Sequence, residues 1–135
     1  MINRRSFITG IKGLKLTNKE IEYLKKYKPW GIILFSRNLK NIKQIQNLTS
    51  HIKKIFKDQN YPIIIDQEGG KVNRLKNLLS FETLTSDYFG QLFKKDKKKF
   101  NIIYNLFIDK TSYFLTLLGI NINTVPVLDL RYKNS

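Results

Sequence analysis

Two runs restrict the possible folds of this chain more than anything else in it. Trp30-Gly31-Ile32-Ile33-Leu34-Phe35 and Ile63-Ile64-Ile65 are unbroken apolar stretches of strand length, each entered through a proline, Pro29 and Pro62. A strand with one wet face alternates apolar and polar residues, so an unbroken run predicts burial on both faces, as in a parallel sheet covered by helices. The three consecutive isoleucines add the χ1 stiffness that favours extended backbone. Between the runs, Ile42, Ile45, Leu48, Ile52 and Ile55 recur at helical spacing, with Lys43, Gln46, Lys53 and Lys54 on the opposite face, which reads as a solvated surface.

The flanking sequence extends the same alternation. Phe7, Ile8 and Ile11 form a short first strand ending at Gly10 or Gly13. Thr17 opens a helix with Glu20 three residues on, the spacing of a capping box, while Leu16 and Ile21 occupy the positions of a hydrophobic staple and Ile21 and Leu24 face inward. Pro29 disfavours helical backbone at Lys28 and ends that helix. A third helix is expected over Phe100 to Leu118, with Phe100, Tyr104, Phe107, Thr111, Phe114 and Leu118 on one side and Gly119 as its left-handed cap. A last strand is expected from about Ile122 to Leu128. No linker, repeat or low-complexity segment divides residues 1–135, so the expectation is one α/β unit with four strands.

Composition removes several function classes. The 135 residues contain no cysteine and one histidine, which excludes a thiol nucleophile, thiolate-bound metal and a histidine metal cluster, and neither metal nor cofactor is expected. The net charge of +15 attracts phosphate, but twenty of the 25 basic residues are lysines scattered over several segments. The densest group, Lys94, Lys95, Lys97, Lys98 and Lys99 around Asp96, reads as a solvated connector or a helix start. Specific nucleic-acid binding is not expected. No apolar stretch approaches the roughly 18–20 residues of a membrane span. Asn3-Arg4-Arg5-Ser6-Phe7 looks like the start of a twin-arginine export signal, but Lys12, Lys15, Lys19 and Glu20 interrupt the apolar region such a signal needs, and a cytoplasmic location is expected.

In parallel α/β folds, ligand-contacting residues sit on the loops leaving the carboxyl ends of the strands. Three groups fall there: Ser36-Arg37-Asn38, then Asp66-Gln67-Glu68-Gly69-Gly70, then Asp129. Asp66 can accept hydrogen bonds from sugar hydroxyls, the glycines allow close backbone approach, and Arg74 can return donors to the same place. Locally these residues serve equally well as a ligand site or as caps that hold their own loop. Glu68, Arg37 and Asp129 are candidate pocket-lining residues. His51, inside the second helix and away from the strand ends, is not a catalytic candidate.

Segments 30–38, 65–74 and 125–129 resemble, in order and spacing, the amino-terminal half of bacterial family 3 glycoside hydrolases, and most closely the cytoplasmic β-N-acetylhexosaminidases of peptidoglycan recycling. Gly13-Leu14-Lys15-Leu16-Thr17 adds to the likeness. Lys71 and Asn73 depart from the more usual Arg and Gln. The resemblance implies a (β/α)₈ barrel, of which this chain supplies about the first four βα units. It implies cleavage of terminal β-linked N-acetylglucosamine with retention, Asp66 and Arg74 binding the sugar. Retention needs a nucleophile and an acid/base group. The resemblance places both, an Asp and a His on a mobile loop, outside these 135 residues, so no catalytic residue is assigned here. The expected partners are a carbohydrate substrate and, for activity, a carboxyl-terminal half. A sugar-binding or interaction module without hydrolysis and a basic nucleic-acid-binding domain are the alternative readings.

Overall fold

The computed structural model describes residues 4–127. Four parallel strands, β1 (Arg5–Gly10), β2 (Pro29–Leu34), β3 (Ile63–Ile65) and β4 (Ile122–Asn123), lie side by side in chain order. Helices connect them: α1 (Asn18–Tyr27), α2 (Ile42–Phe56), and, between β3 and β4, the pair α3 (Ser86–Lys95) and α4 (Lys97–Leu117). Sequential strand order with helical crossovers is the winding of a β/α barrel wall; a doubly wound sheet reverses its order midway.

The main core lies between the sheet and its helices. Ile32, Leu34, Ile63 and Ile65 join Leu24 of α1, Ile45, Leu48 and Ile52 of α2 and Leu115 of α4 in one buried cluster. The other sheet face carries Gly10, Ile33, Ile64 and Ile122, which the strand register aligns in a row. That face is less covered, and Ile8, paired with Gly31, is 49% exposed. Burial on both faces of β2 is therefore only partly realised, and Trp30 at its start stays 43% exposed.

Local sequence accounts for most boundaries. Thr17 caps α1 and forms the capping box with Glu20, and Lys28, at φ 47°, ends the helix before Pro29. Burial acts to raise the Glu20 pKa, but donors from the Thr17 and Lys12 amides and the Thr17 hydroxyl outweigh it, and the carboxyl is held below its ordinary value. Leu118 ends α4 and Gly119 follows at φ 77°, pressed against Thr49, whose hydroxyl donates to the Leu118 carbonyl at 2.9 Å.

The lysine-rich run is the solvated connector and helix start that was expected: Lys94 and Lys95 close α3 and Lys97 begins α4, all exposed. Three expectations need correction. Helix α4 begins at Lys97, one turn before the expected start at Phe100. Asp96 serves both helices, its amide bonding back to Leu92 and its carboxylate accepting from the Lys99 amide at 2.9 Å. Helix α3, capped by Thr85, was not anticipated. The last strand is two residues long; Leu128 lies outside the described residues. Arg4, in the twin-arginine-like stretch, pairs with Asp58 and lies 4.8 Å from the centroid of the Tyr61 ring.

Candidate functional site

The β3 exit organises the carboxyl end of the sheet. Asp66 follows Ile65 directly, and strand alternation puts it on the same face as Ile64, away from the helices. Arg74 Nη2 donates to Asp66 Oδ2 at 3.1 Å, and the Thr124 hydroxyl, one residue past β4, donates to Asp66 Oδ1 at 3.3 Å. The two charged side chains remain 24% and 29% exposed, so the pair is open to a ligand. The Arg74 Nε–H is buried without a hydrogen-bond partner among the described residues, leaving a donor at the site.

The loop holding Arg74 is set by residues that carry no charge. Gln67 is 1% exposed; its Nε2 donates to Asn73 Oδ1 at 3.0 Å, and its Oε1 accepts the Leu75 amide at 3.0 Å. Asn73 in turn donates to the Leu79 carbonyl. Gln67 thus clamps both neighbours of Arg74 in sequence. On the other side, Asn123 accepts the Gln67 amide at 2.9 Å and donates to the Gln67 carbonyl at 3.2 Å. This side-chain pair continues the β3–β4 ladder beyond its last backbone register pair.

The two glycines do something other than make room for a ligand. Gly69 and Gly70 sit at φ 93° and 57°, and a Cβ on Gly69 would lie 2.4 Å from the Leu84 carbonyl oxygen. A Cβ on Gly70 would meet Thr85 at 2.7 Å. The close approach they permit is that of segment 81–85 of the same chain.

Arg37 lies in a short 3₁₀ turn, Ser36–Asn38, after β2. Its Nε donates to the Ile11 carbonyl at 3.1 Å, and its guanidinium lies 4.6 Å from the Phe35 ring centroid, the same ring that Arg74 approaches at 5.7 Å. Arg37, Phe35, Arg74 and Asp66 are thereby neighbours. Asn38 is fully buried and is a brace: it donates to the Ile11 and Gly13 carbonyls and accepts the Phe35 amide. Glu68 turns elsewhere and lines a cavity of about 540 Å³ walled by Phe89 and Phe93 of α3, Tyr104 and Phe107 of α4, and Val125 to Val127. Asp129 lies outside the described residues. His51 is exposed on α2. Among the described residues no cluster of His, Cys, Asp and Glu could hold a metal ion.

Gln67, Asn73, Asn123 and Thr124 were not read from sequence as site residues. The usable signal was period-two spacing: Asn121 and Asn123 alternate with Ile122 and so share one face, and in the structure Asn121 accepts the Ile63 amide as Asn123 accepts that of Gln67.

Relatives place this arrangement. The chain is 32% identical over 135 residues to the β-hexosaminidase of Neisseria gonorrhoeae, covering 98% of this chain and 37% of that protein. It is 34% identical over 133 residues to the β-hexosaminidase of Haemophilus ducreyi, at 93% and 36% coverage. The solved structure of native NagZ from Neisseria gonorrhoeae superposes with a TM-score of 0.84 at 30% identity over 97% of this chain and 38% of that one. This chain corresponds to the amino-terminal part of a bacterial family 3 glycoside hydrolase. The family 3 β-N-acetylglucosaminidase of a Paenibacillus strain gives a TM-score of 0.72 at 28% identity, over 92% of this chain and 23% of that one. No family model matches the chain. The chain spans little more than a third of the length of these β-hexosaminidases, and its four strands are those of the amino-terminal part of their barrel.

Proposed function

We propose that residues 1–135, as a single unit, supply the sugar-holding part of a β-N-acetylhexosaminidase that acts on terminal β-linked N-acetylglucosamine in cytoplasmic peptidoglycan recycling. Asp66 accepts hydrogen bonds from the sugar hydroxyls, and Arg74 donates to the same ring. Arg37, against the same Phe35 ring that Arg74 approaches, borders the pocket. The observation that carries this reading is the Asp66 carboxylate, held at a parallel-sheet exit by Arg74 at 3.1 Å and Thr124 at 3.3 Å yet still accessible, in a chain whose relatives are β-hexosaminidases.

A carboxylate paired with a guanidinium suits this task because the pair orients both acceptors and donors toward neutral hydroxyls while neutralising its own charge. It does not by itself perform hydrolysis. Retention requires a nucleophile and an acid/base group on opposite sides of the glycosidic bond, about 5 Å apart, and we assign both to a carboxyl-terminal half of the barrel. Among the described residues no helix is long and apolar enough to cross a membrane. We read the charge of +15 as general lysine enrichment, with nucleic-acid contact limited to weak, salt-sensitive association.

The test is an NMR titration of the ¹⁵N-labelled chain with N-acetylglucosamine. Saturable shifts at Asp66, Arg74 and Thr124, lost in Asp66→Ala with the rest of the spectrum retained, are expected. Shifts that persist in Asp66→Ala, or that map to the Phe89–Tyr104 cavity, would overturn the assignment.

A further inference from the structure

The helix side of the sheet is unevenly covered. On β3, Ile63 and Ile65 are fully buried beneath α2 and α4. Past β4, Val125 and Val127 turn to the same side yet are only half-buried. They floor the cavity of about 540 Å³ whose opposite wall is Phe89 and Phe93 of α3 and Tyr104 and Phe107 of α4. A strand in a β/α wall is covered by the helix that leads into it and the helix that leads out of it. β3 has both; among the described residues β4 has only the first.

The two flanks of α4 show the same asymmetry. Thr111 and Leu115 are buried and set the direction toward the sheet. At 100° per residue, Phe114 falls to one side of that direction and Ile108 and Ser112 to the other. The Phe114 side is occupied by α2: Gln46 and Thr49 donate to the Leu117 and Leu118 carbonyls at 2.9 Å, and Phe114 packs on the buried cluster that α2 shares. On the other side Ile108 and Ser112 are exposed and line the cavity. The cavity is therefore a helix-sided slot, bounded by α4 and the outer face of β4, in the position that α2 holds one strand earlier.

We propose that this cavity is the seat of the helix that follows β4 in the complete barrel, carried by the carboxyl-terminal half and laid beside α4 with an apolar stripe against Val125, Val127 and Phe107. The β-hexosaminidase relatives have nearly two thirds of their length outside the part this chain matches, which is ample for that unit. The inference rests on reading residues 1–135 as one part of such a barrel, and not on the sugar contacts of Asp66. A cavity of this volume also suits a small apolar ligand, but a ligand site would stay open once the barrel is complete, whereas a helix seat is then filled.

The test is thiol labelling, since the chain contains no cysteine. Ile108→Cys, Ser112→Cys and, on the outward face where Tyr113 is 70% exposed, Tyr113→Cys are each made in the 135-residue chain and in a chimera. In the chimera, residues 1–135 replace the matching part of the Neisseria gonorrhoeae β-hexosaminidase. All three should react with a maleimide in the chain alone. In the chimera, above the background of the unsubstituted form, Ile108→Cys and Ser112→Cys should react at least about tenfold more slowly, because a covered thiol waits on local opening, and Tyr113→Cys at its original rate. Because a chimera can fail to fold, the relative's carboxyl-terminal part is also coexpressed as a separate polypeptide with the tagged chain. It should co-purify with wild type and with Leu106→Lys plus Tyr113→Lys, and not with Ile108→Lys plus Ser112→Lys. Undiminished labelling at 108 and 112 in a folded chimera, co-purification indifferent to Ile108→Lys plus Ser112→Lys, or a wild type that yields neither a folded chimera nor co-purification would each overturn the proposal. No readout here requires sugar binding, so a failed N-acetylglucosamine titration is separable from a failure of this inference.

Discussion

Replacing Gln67 by alanine should damage both the fold and the sugar site, although Gln67 reaches no ligand. The side chain is 1% exposed and spans two acceptor–donor contacts, Nε2 to Asn73 Oδ1 and the Leu75 amide to Oε1, both 3.0 Å. Truncation leaves the Leu75 amide without its acceptor at a residue 1% exposed, and Asn73 Oδ1 loses a donor at a residue 6% exposed. An orphaned buried polar group costs about 1–3 kcal/mol. Two such groups, plus the void left by the side chain, put the total on the order of 3 kcal/mol. Guanidinium denaturation followed by circular dichroism reads this as a lower midpoint at unchanged slope. Lys71→Ala, at an exposed position in the same loop, should stay within about 0.5 kcal/mol. Because Gln67 holds Asn73 and Leu75, the residues either side of Arg74, Gln67→Ala should also weaken N-acetylglucosamine binding. A loss below about 1 kcal/mol with binding intact would refute the clamp.

Glu20 has a lowered carboxyl pKa, so its contribution is present above the ordinary value near 4.5 and is lost as pH falls through the lower folded value. Wild type should lose more stability than Glu20→Gln between about pH 5 and pH 3 in matched denaturation curves. Burial pushes the Tyr61 hydroxyl well above its ordinary value of 10, with Arg4 acting in the opposite direction, so this stability is present below pH 10 and lost in alkali. Tyr61→Phe removes the donor to the Pro29 carbonyl, should cost about 1 kcal/mol at neutral pH, and should flatten the alkaline decline relative to wild type. Gly69→Ala, with φ 93° and a carbonyl 2.4 Å from the new Cβ, should cost more than about 2 kcal/mol, whereas Gly90→Ala inside α3, with open space around it, should stabilise by about 0.5–1 kcal/mol in thermal melts.

The capping box at Thr17 and Glu20, the end of α1 before Pro29 and the Gly119 cap were legible because each is decided by residues a few positions apart. The Ile63–Ile65 strand was legible for the same kind of reason. The degree of burial was less so. An unbroken run such as Trp30 to Phe35 says that a strand can be buried twice, but the number of strands closing over the second face decides whether Ile8 and Ile33 are covered. Helix α3 was obscured because Lys94 to Lys99 reads as one solvated stretch, while Asp96 divides it into the last turn of one helix and the first of another. At the site, the charged members Asp66 and Arg74 stood out in sequence. The amides that position them did not, since Gln67, Asn73 and Asn123 acquire their meaning from partners 6 to 56 residues away. The glycines were legible as backbone requirements, but their reason was the approach of segment 81–85 and not of a ligand.

Transplanting residues 1–135 in place of the matching part of the Neisseria gonorrhoeae β-hexosaminidase, and measuring release of chromophore from a β-N-acetylglucosaminide, tests the central assignment most directly. The folded chimera should hydrolyse the substrate, the 135-residue chain alone should not, and Asp66→Ala in the chimera should lower kcat/KM by about a hundredfold, roughly 2.7 kcal/mol of transition-state stabilisation. A folded chimera without activity, or one indifferent to Asp66→Ala, would contradict the reading of Asp66 as the residue that holds the sugar.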